Sequence, residues 1–469
     1  MMVNCKETSQ IFQTISRQTV VYLITLPQFI QNVWQCKRIF PEWRIRRMRI
    51  HRLMPGVRRF LLTVLAVGLP LAVSEPAHRY DFSVRVFGPG EENLSVKDPY
   101  ARYQWALKND GELQYVEIKN RFEDSNPELA AHIDMANKLG LPAPVSGPDA
   151  YKQAKITARK GVDINVLPAW NQYDASTEPR RPVTVAVIDT GVDVSHPDLQ
   201  GSIWVNEDEI PDDGIDNDQN GFVDDVNGWN FFDNSNQIYT GKEDTHGTHA
   251  AGTIAATRKG TGIAGIADNQ YVKLMVLKAL GTEFGVGEEE DVINAIRYAE
   301  ANGAEICNLS FGTTHYYPDL EKVMRESKML FVVAAGNGDE DGNGIDIDAN
   351  PDYPSCFGLD NVISVANLIF DGNLEQTSNY GVNNVDIAAP GTYIVSTTAD
   401  NSYGFMTGTS MAAPMVTGAA AFLYSYRTDI ALADVRRILM ETARKLPGLE
   451  GKIQCGGVVN VYSAINYGK

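Results

Sequence analysis

Short apolar runs alternate along this chain with stretches whose apolar residues recur every three or four positions. Val183–Ile188, Lys273–Leu277, Ile306–Leu309, Leu330–Ala335 and Val362–Ala366 are apolar enough for strands covered on both faces. Helical patterns lie between them: one opens at His246, two span Asp291–Asn302 and Leu320–Lys328, and a long one starts at Ser410. The alternation predicts an α/β fold, a doubly wound, mostly parallel sheet with helices on both faces, in one domain. Reactive residues then belong at the carboxyl ends of strands, near the point where the strand order reverses. Asp189 and Ser310 both stand where strand-like runs end.

Three segments set reactive side chains beside Gly-rich backbone. They are Val187-Ile-Asp189-Thr-Gly191, His246-Gly-Thr-His249-Ala-Ala-Gly252 and Gly408-Thr-Ser410-Met-Ala-Ala-Pro414. Each alone has a plainer reading: a buried strand end for Asp189, a metal pair for the two imidazoles, a helix N-cap for Ser410. Together they supply an acid, a base and a hydroxyl nucleophile. A serine hydroxyl is hardly ionised at neutral pH, so it needs an imidazole to take its proton and a carboxylate to orient that imidazole. With the order Asp, His, Ser, and Ala335-Gly336-Asn337 between the second and third, the chain resembles the subtilisin-like serine peptidases from about Asp98 to about Tyr467.

That resemblance implies Ser410 as nucleophile, His246 as base, Asp189 as its orienter and Asn337 as an oxyanion donor. It also implies an extended substrate held between Gly285-Val286-Gly287 and Ser310-Phe311-Gly312, with Ala334-Ala335-Gly336 as a wall of the primary pocket. Small apolar walls lead one to expect a medium or large apolar side chain there. Glu288, Glu289 and Glu290 follow the edge segment and are expected to favour basic residues in the outer subsites. Pro414 is expected in the first helical turn, where its missing N–H has no partner.

Asp216-Asn-Asp218-Gln-Asn220-Gly221-Phe222-Val-Asp224-Asp225 spaces oxygens as a calcium loop does, with the Phe222 carbonyl at the seventh position. Asn227 replaces the final Glu, so the loop is not a full EF-hand. A second acidic loop, Asp339 to Asp348, is a weaker candidate. Asp198 matches a calcium ligand of the family, but the segment that completes that site reads Arg258-Lys259-Gly260 here. The expected cofactor is therefore structural calcium at Asp216–Asp225.

The chain has 469 residues, 43 % of them hydrophobic and 21 % charged, the balance of a globular protein with a full core. Residues 1–74 hold 11 Lys+Arg and 2 Asp+Glu, leaving 30 and 57 for the rest, a net near −27. So acidic a body argues against nucleic acid as a partner, and against membrane except transiently during export. Arg-rich residues 44–59 followed by the apolar Phe60–Ser74 read as a secretory signal within a leader of residues 1–74, with the true start possible at Met48. Residues 75–97 read as a short linker or pro-segment. Residues 98–469 read as the catalytic domain, with an insertion at about 114–157 that carries an amphipathic helix, Pro127–Lys138. Cys307, Cys356 and Cys455 are too few and odd in number for a disulfide framework. The expectation is an exported serine endopeptidase acting on proteins or peptides. The alternatives are a catalytically dead secreted binding protein on the same scaffold and a narrow processing peptidase for one partner protein.

Overall fold

All five apolar runs become neighbouring strands of one sheet. The computed structural model describes residues 71–72, 84–87, 96–118, 151–155, 157–281, 285–339 and 341–469, all within the unit Gly68–Lys469. Most of the expected leader, and the expected helix Pro127–Lys138, lie outside the described residues.

In chain order the first strands are β1 (Leu71–Ala72), β2 (Val84–Phe87), β3 (Gln114–Ile118), β4 (Tyr151–Lys155), β5 (Val183–Asp189), β6 (Gly228–Asn230), β7 (Val272–Lys278) and β8 (Val286–Gly287). The rest are β9 (Ile306–Leu309), β10 (Leu330–Ala334), β11 (Val362–Leu368), β12 (Ile387–Pro390), β13 (Ile394–Thr398), β14 (Ser402–Met406), β15 (Arg444–Lys445) and β16 (Gly457–Val458). Nine of them make a sheet in the order β15-β16-β12-β11-β10-β9-β5-β7-β6. Every neighbouring pair is parallel except β15 with β16. The order reverses at β5, which has β7 on one side and β9 on the other.

The helices are α1 (Val166–Ala175), α2 (Thr245–Ala255), α3 (Glu289–Ala301), α4 (Pro318–Glu326), α5 (Thr409–Tyr426), α6 (Asp434–Thr442) and α7 (Val461–Ile465). Successive strand residues feed opposite cores, which is why the runs are continuously apolar. Val185, Val187, Val332, Ala334 and Val365 pack with Ile254 of α2 and Val416 of α5. Ala186, Ile188, Cys307, Leu309, Phe331 and Val333 pack with Val292 and Ile296 of α3 and Leu320 of α4. Helix α5 is apolar all round and correspondingly buried. Truncating a side chain such as its fully buried Phe422 costs ~3–5 kcal/mol.

Pro414 is the sixth residue of α5, not part of its first turn as expected. A proline there cannot donate to the carbonyl of Ser410, four residues back. That carbonyl instead accepts the hydroxyl of Ser310 at 3.1 Å. The helix tolerates the proline because a side chain from the end of β9 takes the place of the missing N–H.

Two further features stood outside the apolar pattern. β13 and β14 form an antiparallel hairpin, and Ser396 and Thr397 donate their hydroxyls to the α2 carbonyls of His249 and Thr248 at 2.8 and 2.7 Å. The ends of the insertion meet, with Ile118 opposite Tyr151, and β2 joins them in a three-stranded antiparallel sheet. Cys307, Cys356 and Cys455 are free thiols, as expected of a chain without a disulfide framework.

His249 is fully buried on α2, with Nε2 2.8 Å from the Ile394 carbonyl, and burial lowers its pKa to about 3. The unfolded chain binds a proton on this ring at the ordinary value near 6.5, whereas the folded chain does not until about 3. Stability from the neutral ring is therefore complete above the unfolded value and falls as the pH drops below it. The loss on going from about pH 7 to about pH 5 is ~2 kcal/mol from this group. Urea melts at these two pH values should show a smaller acid loss for His249→Gln than for the wild type; equal losses would show that His249 does not titrate in this way.

Candidate active site

Asp189 ends β5 at the reversal of strand order, where the sheet's own hydrogen bonds stop. Its Oδ1 accepts the Thr190 N–H at 2.7 Å and stands 2.7 Å from Nδ1 of His246. A carboxylate on Nδ1 fixes the proton there and leaves Nε2 as the acceptor. Nε2 is buried and has no hydrogen-bond partner among the described residues, and the same holds for Oδ2 of Asp189. The ring thus has one open position at Nε2, and among the described residues Asp189 forms no ion pair but this one. Gly247 makes this approach possible: a Cβ there would come within 2.3 Å of the Gly191 carbonyl and 3.1 Å of the Asp189 Cβ.

Ser410 is the second residue of α5. Its hydroxyl donates to the Ser310 carbonyl at 2.9 Å, while the Ser310 hydroxyl donates back to the Ser410 carbonyl. Asn308 in turn donates to the Ser310 hydroxyl at 2.9 Å and accepts from Thr417 at 2.8 Å. These bonds pin the start of α5 to the end of β9. Attack by Ser410 would require its hydroxyl to leave the Ser310 carbonyl.

Asn337 follows β10. Its Oδ1 accepts both the N–H and the hydroxyl of Thr409, at 2.8 and 2.9 Å, which commits the amide oxygen and directs Nδ2 the other way. The Thr409 hydroxyl also accepts the Gly336 N–H at 3.2 Å. Gly408 has φ 152° and a Cβ there would stand 3.3 Å from Asn337 Nδ2, so glycine serves both the turn and the space. The Ser410 N–H lies in the first turn of α5, where no helical acceptor exists. An amide N–H pair of this kind, from Asn337 and Ser410, is what a developing oxyanion requires.

The family model for the subtilase family matches residues 180–456, more than half of the chain. The chain belongs to the subtilase family. It is 35 % identical over 283 residues to the major intracellular serine protease of Bacillus subtilis, covering 58 % of this chain and 80 % of that protein. With thermitase of Thermoactinomyces vulgaris it shares 34 % over 308 residues, covering 65 % of this chain and 94 % of thermitase. Subtilisin-like protease 1 of Plasmodium falciparum matches at 34 % over 300 residues, or 60 % of this chain, and the chain spans only 43 % of that relative's length. Among solved structures, fervidolysin of Fervidobacterium pennivorans aligns with a TM-score of 0.53 and 22 % identity, covering 85 % of this chain and 50 % of that one, a likeness of fold.

Ser310-Phe311-Gly312 and Ala334-Ala335-Gly336 leave the adjacent strands β9 and β10 side by side. Phe311 offers only its backbone, since its side chain is fully buried in the core beneath α3 and α4. Gly285 leads into β8, an edge along which β1 lies antiparallel, with Leu71 opposite Gly287 and Ala72 opposite Val286. Glu288 and Glu290 are exposed beside this edge, but Glu289 turns inward to accept the Leu320 N–H at 3.3 Å.

The acidic loop gathers differently from the spacing argument. Ligand oxygens of Glu209, Asp216 and Asp218 lie within 4.8 Å of one another, and among the described residues no Lys or Arg pairs with them. Asn220 donates to Asp218 at 2.9 Å. Asp224 instead accepts the N–H groups of Asp213 and Gly214, both at 3.1 Å. Asp225 is buried, held by Asn206, Asn220 and the Tyr298 hydroxyl. Phe222 packs its ring on Trp229 and Tyr298 and so anchors the loop. Glu209 was missed because it precedes the loop by seven residues in sequence. In the second loop, Asp339 and Asp348 are engaged with backbone N–H groups, Asp348 with those of Asn383 and Asn384. At the third position, Asp198 accepts the Ile263 N–H and Arg258 stacks on Trp170.

Thr190 and Thr409 lie inside the motifs quoted above but carry no role in that reading, and Asn308 and the locking role of Ser310 are absent from it; adjacency to Asp189 and Ser410 was the available signal for the two threonines.

Proposed function

We propose that the chain is a serine endopeptidase that cleaves proteins or peptides through an acyl-enzyme. The observation that carries this reading is the Asp189–His246 pair at 2.7 Å, whose ring leaves Nε2 open while the oxyanion donors gather at the start of α5. As the Ser410 oxygen bonds to the scissile carbonyl carbon, its proton passes to His246 Nε2. The carbonyl oxygen gains negative charge between Asn337 Nδ2 and the Ser410 N–H. Nε2 then gives the proton to the leaving amine as the C–N bond breaks, and water repeats the sequence to free the acid. Each oxyanion donor contributes ~3–4 kcal/mol to the transition state.

Substrate would add as an extended strand to Val286–Gly287, the edge that β1 already pairs with, so backbone hydrogen bonds supply most of the grip. The Arg-rich and apolar leader supports export as the route by which the enzyme meets its substrates.

Calcium belongs to the same proposal. Three carboxylates brought together without a cation repel one another, and hard oxygen ligands of this kind suit calcium. Glu209, Asp216 and Asp218 would hold it, with Asn220 beside them.

Ser410→Ala should lower hydrolysis of a casein substrate by about a thousandfold or more while the melting temperature stays near that of the wild type. A folded Ser410→Ala protein that cleaves at the wild-type rate would sink the peptidase assignment. Calcium should raise the stability of the Ser410→Ala form by ~2.7 kcal/mol at a hundredfold excess over its dissociation constant, read as a higher melting temperature than in EGTA. Asp218→Ala and Glu209→Gln should each remove most of that rise. Coincident melting curves with calcium and with EGTA would leave the loop as an acidic turn.

A further inference from the structure

A carboxylate with one fully enclosed oxygen, that of Asp352, lies against the two segments expected to wall the primary pocket. A Cβ on Gly312 would stand 2.4 Å from Oδ1 of Asp352, and a Cβ on Gly336 would stand 2.8 Å from its Oδ2. These glycines belong to the two segments that leave β9 and β10, so the carboxylate touches both walls at once. Oδ1 is buried with no hydrogen-bond partner, and no Lys, Arg or His forms an ion pair with Asp352 among the described residues.

The polar groups around it are committed elsewhere. Asn379 donates its amide to the Ala335 carbonyl at 2.9 Å, and Ser355 donates to the Ala334 carbonyl at 2.9 Å. The Thr313 N–H points mainly at the Tyr353 carbonyl, at 2.8 Å. Burial pushes the Asp352 carboxyl up to about 7, only partly offset by the Thr313 N–H. An enclosed carboxylate oxygen without a partner is rare because its desolvation is costly, and it calls for an explanation. A metal ion does not supply one: Asp352 belongs to no group of three Asp, Glu, His or Cys ligands among the described residues.

We infer that Asp352 forms the floor of the primary pocket and selects a lysine or arginine at the residue whose carbonyl Ser410 attacks. The inference rests on the peptidase reading above and narrows its substrate class. Gly336 immediately precedes the oxyanion donor Asn337, so a residue whose carbonyl oxygen sits on Asn337 projects its side chain past Gly336 toward this carboxylate. An ammonium or guanidinium arriving there neutralises the buried charge and satisfies Oδ1. The exposed Glu288 and Glu290 beside the edge strand extend the same sign of charge to the outer subsites. On this inference the pocket is not apolar throughout, because beside the Ala334, Ala335 and Gly336 wall its floor comes from a residue that follows Gly336 by 16 positions.

The test compares kcat/KM for fluorogenic peptides that differ only in Arg, Lys, Leu or Phe before the scissile bond. Wild type should prefer Arg or Lys over Leu by about thirtyfold or more, and Asp352→Asn and Asp352→Gly should bring that ratio down to about one. Benzamidine, an amidinium probe, should inhibit the wild type competitively, a readout that needs no variant. Cleavage of the Leu and Phe peptides as fast as the Arg peptide, or an Arg-to-Leu ratio untouched by either substitution, overturns the pocket and leaves the peptidase reading standing. No cleavage of any of the four, with no hydrolysis of casein, overturns both.

Discussion

A parallel sheet buried on both faces leaves polar side chains little room except at the ends of its strands, and that constraint organises this molecule. Within β5, β9 and β10 nearly every side chain is enclosed by apolar neighbours from α2 and α5 or from α3 and α4. Chemistry starts at the residue where apolar packing stops: Asp189 ends β5, Ser310 follows β9, and Asn337 lies three residues beyond β10. Because β5 is the reversal point, its neighbour β9 and the helix α2 reach the same spot from different sides. Asp189 meets the His246 imidazole at the end of β5, and the start of α5 is held at the end of β9 by the Ser310–Ser410 bonds.

Hydrogen bonds then convert proximity into geometry. Each contributes only ~1 kcal/mol net to stability, so their main consequence is positional. Thr409 holds the Asn337 carbonyl oxygen twice and thereby aims the amide. Ser310 and Ser410 exchange hydroxyl-to-carbonyl bonds across the junction of β9 and α5. Pro414 belongs to this arrangement, because by lacking an N–H it leaves the Ser410 carbonyl to Ser310. The nucleophile's helix is fixed to the strand that carries one wall of the substrate cleft.

The central strands were legible because their covering is reflected in composition: Ile306–Leu309 matches β9 end for end, and Val183–Ile188 falls one residue short of β5. The contact between Asp189 and His246 was legible because Gly-rich motifs flank both residues. The β13–β14 hairpin was not, since β13 mixes Ile394 and Val395 with Ser396, Thr397 and Thr398, and the hydroxyls of Ser396 and Thr397 are spent on α2 carbonyls. Glu209 and Asp352 escaped for a different reason. Each joins a group whose other members are distant in sequence or carry no charge, so no local spacing could announce it. Asp224 and Asp225 illustrate the reverse, since their spacing suits a metal loop while their oxygens are bound to N–H, amide and phenol groups.

Asp189, His246 and Ser410 should work as one unit at the carboxyl edge of the sheet. Labelling with a fluorophosphonate, read by intact mass and peptide mapping, measures this coupling. A single adduct is expected, on Ser410, with a rate of formation that falls by about a thousandfold or more in a folded His246→Ala variant. An adduct on any other residue, or labelling of His246→Ala at the wild-type rate, would contradict it.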